Sequence, residues 1–465
     1  MTFCKTWTES QKHCIIGKVN LNFMKKFTLV LVDILMLYAA IWLTLYIRYQ
    51  HNWKIALGSH LLPFTILFIV WLSVFYIANF YEIHGLKNGT NFYVNFSQVL
   101  IINAVIGIIF FYLLPFFGIA PRRNFFIFLV FFSGMDFLAR RFFNKVIAGS
   151  RFSRPTLIVG ANEQSNELAK LLRNNPQLGY QLESVMDVSN LNTLEKLVDE
   201  KKINTIIISN EIYQTPQVIQ SFYKLIRKKI NFYHLSNFYE QISRKIILSH
   251  INQIWFLENL SEGGKNFYEV SKRILDIVFA VFFGVVALVL APFIALAIKI
   301  SSPGPIFFRQ TRVGQLGQNF SIIKFRTMIA NAPDGSAEGA TGATWAQEDD
   351  PRITKVGKFL RKTRLDELPQ LWNILKGEMS FVGPRAERPE FHDQLKNKIP
   401  FYEERYLIKP GLTGWAQVQY RYGASIKDAA EKLQYDLFYI KHRSLVWDFS
   451  IALKTINIVV RQSGR

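Results

Sequence analysis

Residues 274–300, ILDIVFAVFFGVVALVLAPFIALAIKI, form an apolar run long enough to cross a bilayer, yet a proline, Pro292, stands inside it. Proline has no N–H and its ring crowds the carbonyl of Leu288, so the run is expected to kink or break there. A helix that bends midway can enter a membrane and return to the same face, provided protein or water satisfies the opened backbone. Lys272 and Arg273 at one end and Lys299 at the other would anchor both ends to one anionic surface. The run is therefore expected to be a re-entrant helix, with Pro292 as its break.

Topology points the same way. Four earlier apolar stretches, 27–47, 61–81, 99–119 and 124–147, read as a four-helix transmembrane unit over 27–150, behind a basic tail at 1–26. Lys18, Lys25 and Lys26 precede the first stretch, and Arg140, Arg141, Lys145, Arg151 and Arg154 end or follow the fourth. By the positive-inside rule both ends of the unit face the cytoplasm, with Arg122 and Arg123 on the wrong side. A fifth crossing would carry the rest of the chain outside. Asp33 and Asp136 fall within these stretches and are expected to be paired carboxylates near the interface.

Composition narrows the class. Over 465 residues the formal charge is +21 and half the residues are hydrophobic, which favours an anionic membrane or phosphorylated ligands. No nucleic-acid-binding signature is present, so no nucleic-acid partner is expected. The two cysteines, Cys4 and Cys14, exclude a disulfide framework and a cysteine-built zinc site. No cleavable signal peptide is evident, because the first apolar run is too long and lacks a small-residue cleavage site.

Residues 151–262 alternate strand and helix patterns: a strand at PTLIVG, a helix over 163–173, and strands near 182–188 and 204–209. That layout predicts a small parallel, Rossmann-like α/β domain. Its first turn reads GANEQS, with Gly160 the only glycine of a dinucleotide fingerprint. A degenerate nucleotide site, in a scaffold or regulatory domain, is expected. Tyr268 and Lys272 have the Tyr-x-x-x-Lys spacing of short-chain dehydrogenases, but without a glycine-rich site upstream the match is coincidental.

The chemistry gathers in 263–465, read as a mostly helical α/β catalytic domain. SIIKFRTM is strand-like and puts Lys324 and Arg326 two residues apart, on one face. A loop of small and acidic residues over 330–350 follows. Near LDELPQLWNILKG a helix is expected with Asp366 as N-cap, Pro369 in its first turn, and Leu368, Leu371, Trp372 and Leu375 on its apolar face. Arg361, Arg364 and Arg385 are close in sequence and suited to bidentate phosphate contacts. Two acids among cations stay ionised, which suits either a nucleophile and a metal ligand or a helix cap with surface ion pairs.

KRILD, the proline-broken run, KFRTM, LDELPQLWNILKGEMSFVGPR and PGLTGWAQV occur in this order. Together they resemble the catalytic domain of bacterial sugar transferases, the monotopic polyprenyl-phosphate phosphoglycosyl transferases. The resemblance covers residues 266–465, and the four-span unit with its Rossmann-like domain resembles the long-form members that initiate exopolysaccharide, capsule or O-antigen synthesis. It implies that Asp366 attacks the β-phosphate of a UDP-sugar, releasing UMP and leaving an aspartyl phosphosugar that undecaprenyl phosphate collects. It further implies that Glu367, with Asp366, holds Mg²⁺, that Lys324, Arg361 and Arg385 bind phosphate, and that Asp436 lies in a C-terminal acidic motif. Arg326 and Arg364 join the phosphate-binding set.

Two departures stand out: Ala291 where a serine often precedes the proline, and Ala386 where GPRP is usual. Two other readings compete. A membrane-tethered sugar-nucleotide dehydratase shares the front end but needs an intact dinucleotide fingerprint, and a non-catalytic scaffold would be expected to lack an acid or a flanking arginine. The expected partners are a UDP-sugar, undecaprenyl phosphate and membrane lipids at the bacterial inner membrane. The unassigned central domain is a candidate surface for a homodimer.

Overall fold

The structure is a computed structural model and describes residues 20–82, 88–113, 122–148, 153–209, 212, 216–260, 265–337, 350–420, 423 and 425–460. Cys4, Cys14, Arg151 and the 338–349 part of the small-residue loop lie outside them. The chain divides into two compact units, Met1–Leu235 and Ser236–Arg465.

The first unit opens with four helices: α1 (Asn20–Tyr49), α2 (Trp53–Ile77), α3 (Thr90–Leu113) and α4 (Arg122–Ala148). They pack through aromatics, with Trp71, Phe75, Phe128 and Phe132 all but sealed from solvent. Edge and tilted ring contacts, such as Trp71 on Phe132 at 5.6 Å, add specificity to that burial. Asp33 and Asp136 point inward. Arg140 bonds Asp33 and donates from Nε to Asp136 Oδ2 at 3.0 Å, and Tyr81 donates to Asp33 Oδ2 at 2.6 Å. A charge at this depth persists only when paired.

The expected pairing is present, and the cluster is buried inside the bundle, at 1% exposure for Arg140. Arg140 therefore cannot count among the cations that report orientation. Its guanidinium is consumed inside the bundle.

A parallel α/β layer follows: β1 (Arg154–Val159), α5 (Glu163–Asn174), β2 (Tyr180–Met186), α6 (Leu194–Glu200), β3 (Thr205–Ile208), α7 (Pro216–Lys224) and β4 (Asn231–His234). The sheet order is β2-β1-β3-β4, parallel throughout. The apolar centres Leu157–Val159 and Ile206–Ile208 are fully buried, as a sheet covered on both faces requires. β4 was not anticipated, since its four residues, NFYH, are too short a run to show alternation. Gly160 sits at φ +98°, and a Cβ there would lie 2.6 Å from Ser209 Cβ. Its role is this close approach at the end of β3.

The second unit begins within α8 (Leu235–Ser243) and continues through α9 (Gln253–Asn259), α10 (Asn266–Ser301) and the antiparallel hairpin β5 (Phe307–Val313) and β6 (Asn319–Phe325). Next come α11 (Lys355–Thr363), a 3₁₀ turn Leu365–Gln370, α12 (Leu371–Lys376) and β7 (Ser380–Val382). The unit closes with α13 (Pro389–Lys396), β8 (Gly411–Thr413), α14 (Trp415–Gln419), α15 (Ile426–His442) and α16 (Leu445–Val460). One face of α15, through Leu433, Leu437 and Ile440, meets Tyr402, Tyr406 and Trp415 in the main core. Ile246, Ile251 and Leu260 join the same core, so the segment before residue 263 packs here.

α10 has no break at Pro292, although an unbroken helix can still bend at a proline. It is a single 36-residue helix that runs through Pro292 without interruption. Proline removes one i→i−4 hydrogen bond, and the turns on either side carry the helix past it. Its contacts form a stripe. Ala280 packs with Leu371, Ile374 and Met379, while Ile294 and Ile298 pack with Phe325 and Leu360. Leu368 touches both groups. The opposite face, including Phe282, Val285, Val289 and Phe293, is apolar and exposed. Among the described residues, three helical segments are long and apolar enough to cross a membrane: Met24–Ile77, Phe92–Phe111 and α10.

Candidate active site

α11 starts at Thr354, whose Oγ1 accepts from Gly357 N at 2.9 Å. A second contact, at Gly357, fixes its depth: a Cβ there would lie 1.9 Å from Thr327 O, so only glycine lets the helix seat against the segment that follows β6. The helix stops at Arg364, which takes a left-handed conformation at φ +60°. The chain then tightens into the 3₁₀ turn that carries Asp366, Glu367 and Pro369.

Asp366 is therefore not an N-cap. The turn begins before it, at Leu365, and its side chain caps nothing. Pro369 is accommodated because a short 3₁₀ turn needs few of its N–H groups. In α12, Leu371 is buried as expected while Trp372 is exposed.

Both carboxylates are 7% exposed. β6 delivers Lys324, whose Nζ donates to Glu367 Oε1 at 2.8 Å. Arg364 Nη1 and Arg385 Nη2 each lie 3.7 Å from the same oxygen. Burial alone would raise the Glu367 carboxyl, but Lys324, then Arg385 and Arg364, hold it well below the ordinary range. Asp366 differs. Its Oδ1 is buried and has no hydrogen-bond partner among the described residues. Burial pushes it up to about 6, with Lys324 opposing and Glu367 reinforcing. Arg361 and Arg364 also act on it electrostatically, and Arg361 Nε donates to Thr327 Oγ1 at 2.9 Å.

Lys324, Arg361, Arg364, Arg385, Asp366 and Glu367 are thus brought together. Arg326 is not. β6 ends at Phe325, so the expected shared face with Lys324 is lost. Arg326 turns inward, giving Nη1 to Pro303 O at 2.5 Å and Nη2 to Ser302 O at 2.7 Å. At 2% exposure it fastens the end of α10. Asp436 is also withdrawn from the surface, paired with Arg405 Nη2 at 2.8 Å. That guanidinium donates to Arg385 O at 3.2 Å, so Asp436 acts on the site through the backbone of Arg385.

Three residues not singled out in the sequence complete the frame. Arg405 holds Arg385 O, Arg312 Nη1 donates to Ala386 O at 3.0 Å, and Asn373 Nδ2 donates to Ser321 O at 2.7 Å. Arg312 supplies by hydrogen bond the turn stiffness that a proline at 386 would have given. Asn373, a polar residue inside LWNILKG, was the one legible signal. Arg405 and Arg312 carry no spacing clue.

No group of three or more metal-type side chains occurs among the described residues. The two carboxylates, with Asp366 Oδ1 unpartnered, fit a hard cation that takes its other ligands from water and phosphate oxygens, the habit of Mg²⁺.

The bacterial sugar transferase family matches residues 267–462. The chain is 39% identical over 232 residues to a UDP-N-acetylgalactosamine-undecaprenyl-phosphate N-acetylgalactosaminephosphotransferase of Aeromonas hydrophila, covering 50% of this chain and 53% of that protein. It is 32% identical over 319 residues to a UDP-glucose:undecaprenyl-phosphate glucose-1-phosphate transferase of Escherichia coli, covering 65% and 67%. It is 30% identical over 377 residues to a galactosyl transferase of Streptococcus agalactiae, covering 74% and 81%. The chain thus spans about half the length of the Aeromonas relative and two thirds of the Escherichia one. It belongs to the bacterial sugar transferase family.

Proposed function

We propose that the chain transfers a sugar 1-phosphate from a UDP-sugar to undecaprenyl phosphate, initiating the assembly of a bacterial surface polysaccharide. The observation that carries this reading is the unpartnered, buried oxygen of Asp366 beside a Glu367 saturated with cations. A carboxylate without hydrogen bonds is a better nucleophile than one that is solvated or paired. Asp366 attacks the β-phosphorus, an acyl-phosphate bond forms, and the bond to the UMP oxygen breaks. An oxygen of undecaprenyl phosphate then attacks the same phosphorus, the lipid diphosphosugar leaves, and Asp366 is restored as carboxylate.

Lys324, Arg361, Arg364 and Arg385 hold the phosphates and their developing charge. Glu367 keeps Lys324, Arg364 and Arg385 in place. Mg²⁺, when bound by Asp366 and Glu367, supplies charge neutralisation of the pyrophosphate.

α10 lies in the membrane without crossing it. One stripe of the helix, from Ala280 to Ile298, packs on the same unit that carries the carboxylates, while its other face is apolar and exposed. A spanning helix would leave that unit at one end only. The catalytic unit sits on the cytoplasmic face of the inner membrane, where UDP-sugars occur, and the four-helix unit anchors it through multiple passes. The parallel layer is a Rossmann-like domain whose turn at Gly160 is filled by Ser209.

The test is UMP release from a panel of UDP-sugars with undecaprenyl phosphate. Wild type should turn over one or a few of them and require the lipid phosphate for multiple turnovers. Absence of UMP with every donor would refute the assignment.

A further inference from the structure

Four successive carbonyls, from Pro384 to Glu387, fasten the turn that carries Arg385. Gly411 N donates to Pro384 O at 2.8 Å, Arg405 Nη2 to Arg385 O at 3.2 Å, Arg312 Nη1 to Ala386 O at 3.0 Å and Val313 N to Glu387 O at 2.9 Å. The donors come from β8, from the 3₁₀ turn Tyr402–Leu407 and from β5, so separate elements fix one short stretch.

The amide hydrogens of this turn are not matched in the same way. The N–H groups of Ala386 and Glu387 make no hydrogen bond among the described residues. Ala386 is only 7% exposed, and a buried N–H without a partner is rare in a folded chain. Water or a ligand is what ordinarily completes such a group.

Peptide planarity says which way the first of them points. In a trans peptide the N–H lies opposite the C=O of the preceding residue. Arg385 O faces Arg405, so the N–H of Ala386 is directed away from the buried Arg405–Asp436 pair. It leaves the turn on the side opposite the core that holds it.

The charge around that N–H favours an anion. Arg385 is the adjoining residue, with Nη2 3.7 Å from Glu367 Oε1. The carboxylates nearby are each turned to a cation. Glu387 Oε1 lies 3.6 Å from Arg405 Nη1, on the buried side, and Asp436 lies 2.8 Å from Arg405 Nη2. Glu390 lies 3.3 Å from Arg388 Nε, and Glu367 is 2.8 Å from Lys324 Nζ. A backbone N–H beside a guanidinium is the donor pair that suits an anionic oxygen.

The donor is also particular to this chain. A proline at 386, the usual residue of the motif, would have no N–H to give. Alanine supplies one, while Arg312 braces the turn through the carbonyl.

We propose that Ala386 N–H is a substrate contact, donating to an oxygen of the UDP-sugar diphosphate that Arg385 also binds. The proposal rests on the donor assigned above and adds a contact that a proline at this position could not make.

The test titrates the detergent-solubilised full chain with UDP and Mg²⁺ by calorimetry. Ala386→Pro removes the N–H and keeps the carbonyl for Arg312, whereas Ala386→Gly keeps both. Ala386→Pro should bind UDP about tenfold more weakly, the loss of one charge-assisted hydrogen bond, and Ala386→Gly should bind it as wild type does. Unchanged affinity in Ala386→Pro, an equal loss in Ala386→Gly, or no binding of UDP by wild type would overturn the contact. A second measurement needs no variant to fold: amide hydrogen exchange at residues 386 and 387 of wild type should slow when UDP binds. Bound UDP that leaves the Ala386 amide unprotected would also refute it. Neither measurement requires turnover. A chain that shows these effects yet releases no UMP from any donor would sink the transferase reading and leave the contact standing.

Discussion

Lys324 Nζ lies 2.8 Å from Glu367 Oε1, bridging the hairpin strand β6 to the 3₁₀ turn that holds both acids. That bond separates two neighbouring carboxyls that share a backbone turn and equal burial. Glu367 collects the cations and is ionised under all ordinary conditions, while Asp366 keeps an oxygen free and titrates near neutrality. Two like groups pushed apart in pKa are what a divided chemical task requires. The stiffness comes from the hairpin, since Lys324 is held in a ladder with Phe308 rather than on a loop.

The Asp366 carboxyl is raised to about 6, above its ordinary value, so its reactive anion is lost as pH falls through that range. The rate of UMP release per free enzyme should be flat above neutrality and fall tenfold per unit on the acid side. Lys324 lowers both acids, so Lys324→Met should move this limb to higher pH and reduce the plateau by roughly 10²–10³. A limb that stays put in the variant would remove Lys324 from the electrostatic account.

Asp436 is fully buried against Arg405, and Asp436→Asn leaves that guanidinium without its closest anion. Loss of one member of a buried pair costs about 3–5 kcal/mol, which denaturant unfolding would register. Because Arg405 also holds Arg385 O, KM for the UDP-sugar should rise more than kcat falls. An unchanged KM in folded protein would leave Asp436 a purely structural role.

Gly357→Ala would drive a methyl into Thr327 O, against which α11 is seated. Overpacking of this kind costs about 1–3 kcal/mol. Arg361 hangs from the same contact through Thr327 Oγ1, so activity should fall beyond what reduced folding explains. The check is specific activity measured on protein shown folded by circular dichroism at the assay temperature.

Topology is tested at Ser336, in the short loop after the β5–β6 hairpin where its N–H bonds Asp334 Oδ1. With Cys4 and Cys14 replaced, a single cysteine there should resist a membrane-impermeant maleimide in intact cells and react after lysis. Labelling in intact cells would place the catalytic unit outside and refute the reading that α10 does not cross the membrane.

Much of this was legible in the sequence where a pattern maps onto one physical demand. The apolar lengths, the alternating strands around Leu157–Val159 and Ile206–Ile208, and the cluster of Lys324, Arg361, Arg364 and Arg385 with the two acids are of that kind. Tertiary pairing was not legible. Arg140 reads as a membrane flank and Arg326 as a phosphate ligand because sequence gives their charge without their direction. Asp366 reads as a cap because a 3₁₀ turn entered through a left-handed arginine, Arg364, has no signature comparable to glycine. Pro292 reads as a break, although one missing N–H leaves most of a long helix's hydrogen bonds untouched.

The central claim is that Asp366 becomes covalently linked to the phosphosugar. Purified chain given a turned-over UDP-sugar, without lipid acceptor, and quenched in acid should show one added phosphosugar by intact-protein mass, with the adduct mapping to Asp366. Undecaprenyl phosphate added before the quench should discharge it, and Asp366→Asn should carry none. UMP release at wild-type rates from Asp366→Asn, or an adduct on another residue, would contradict the account.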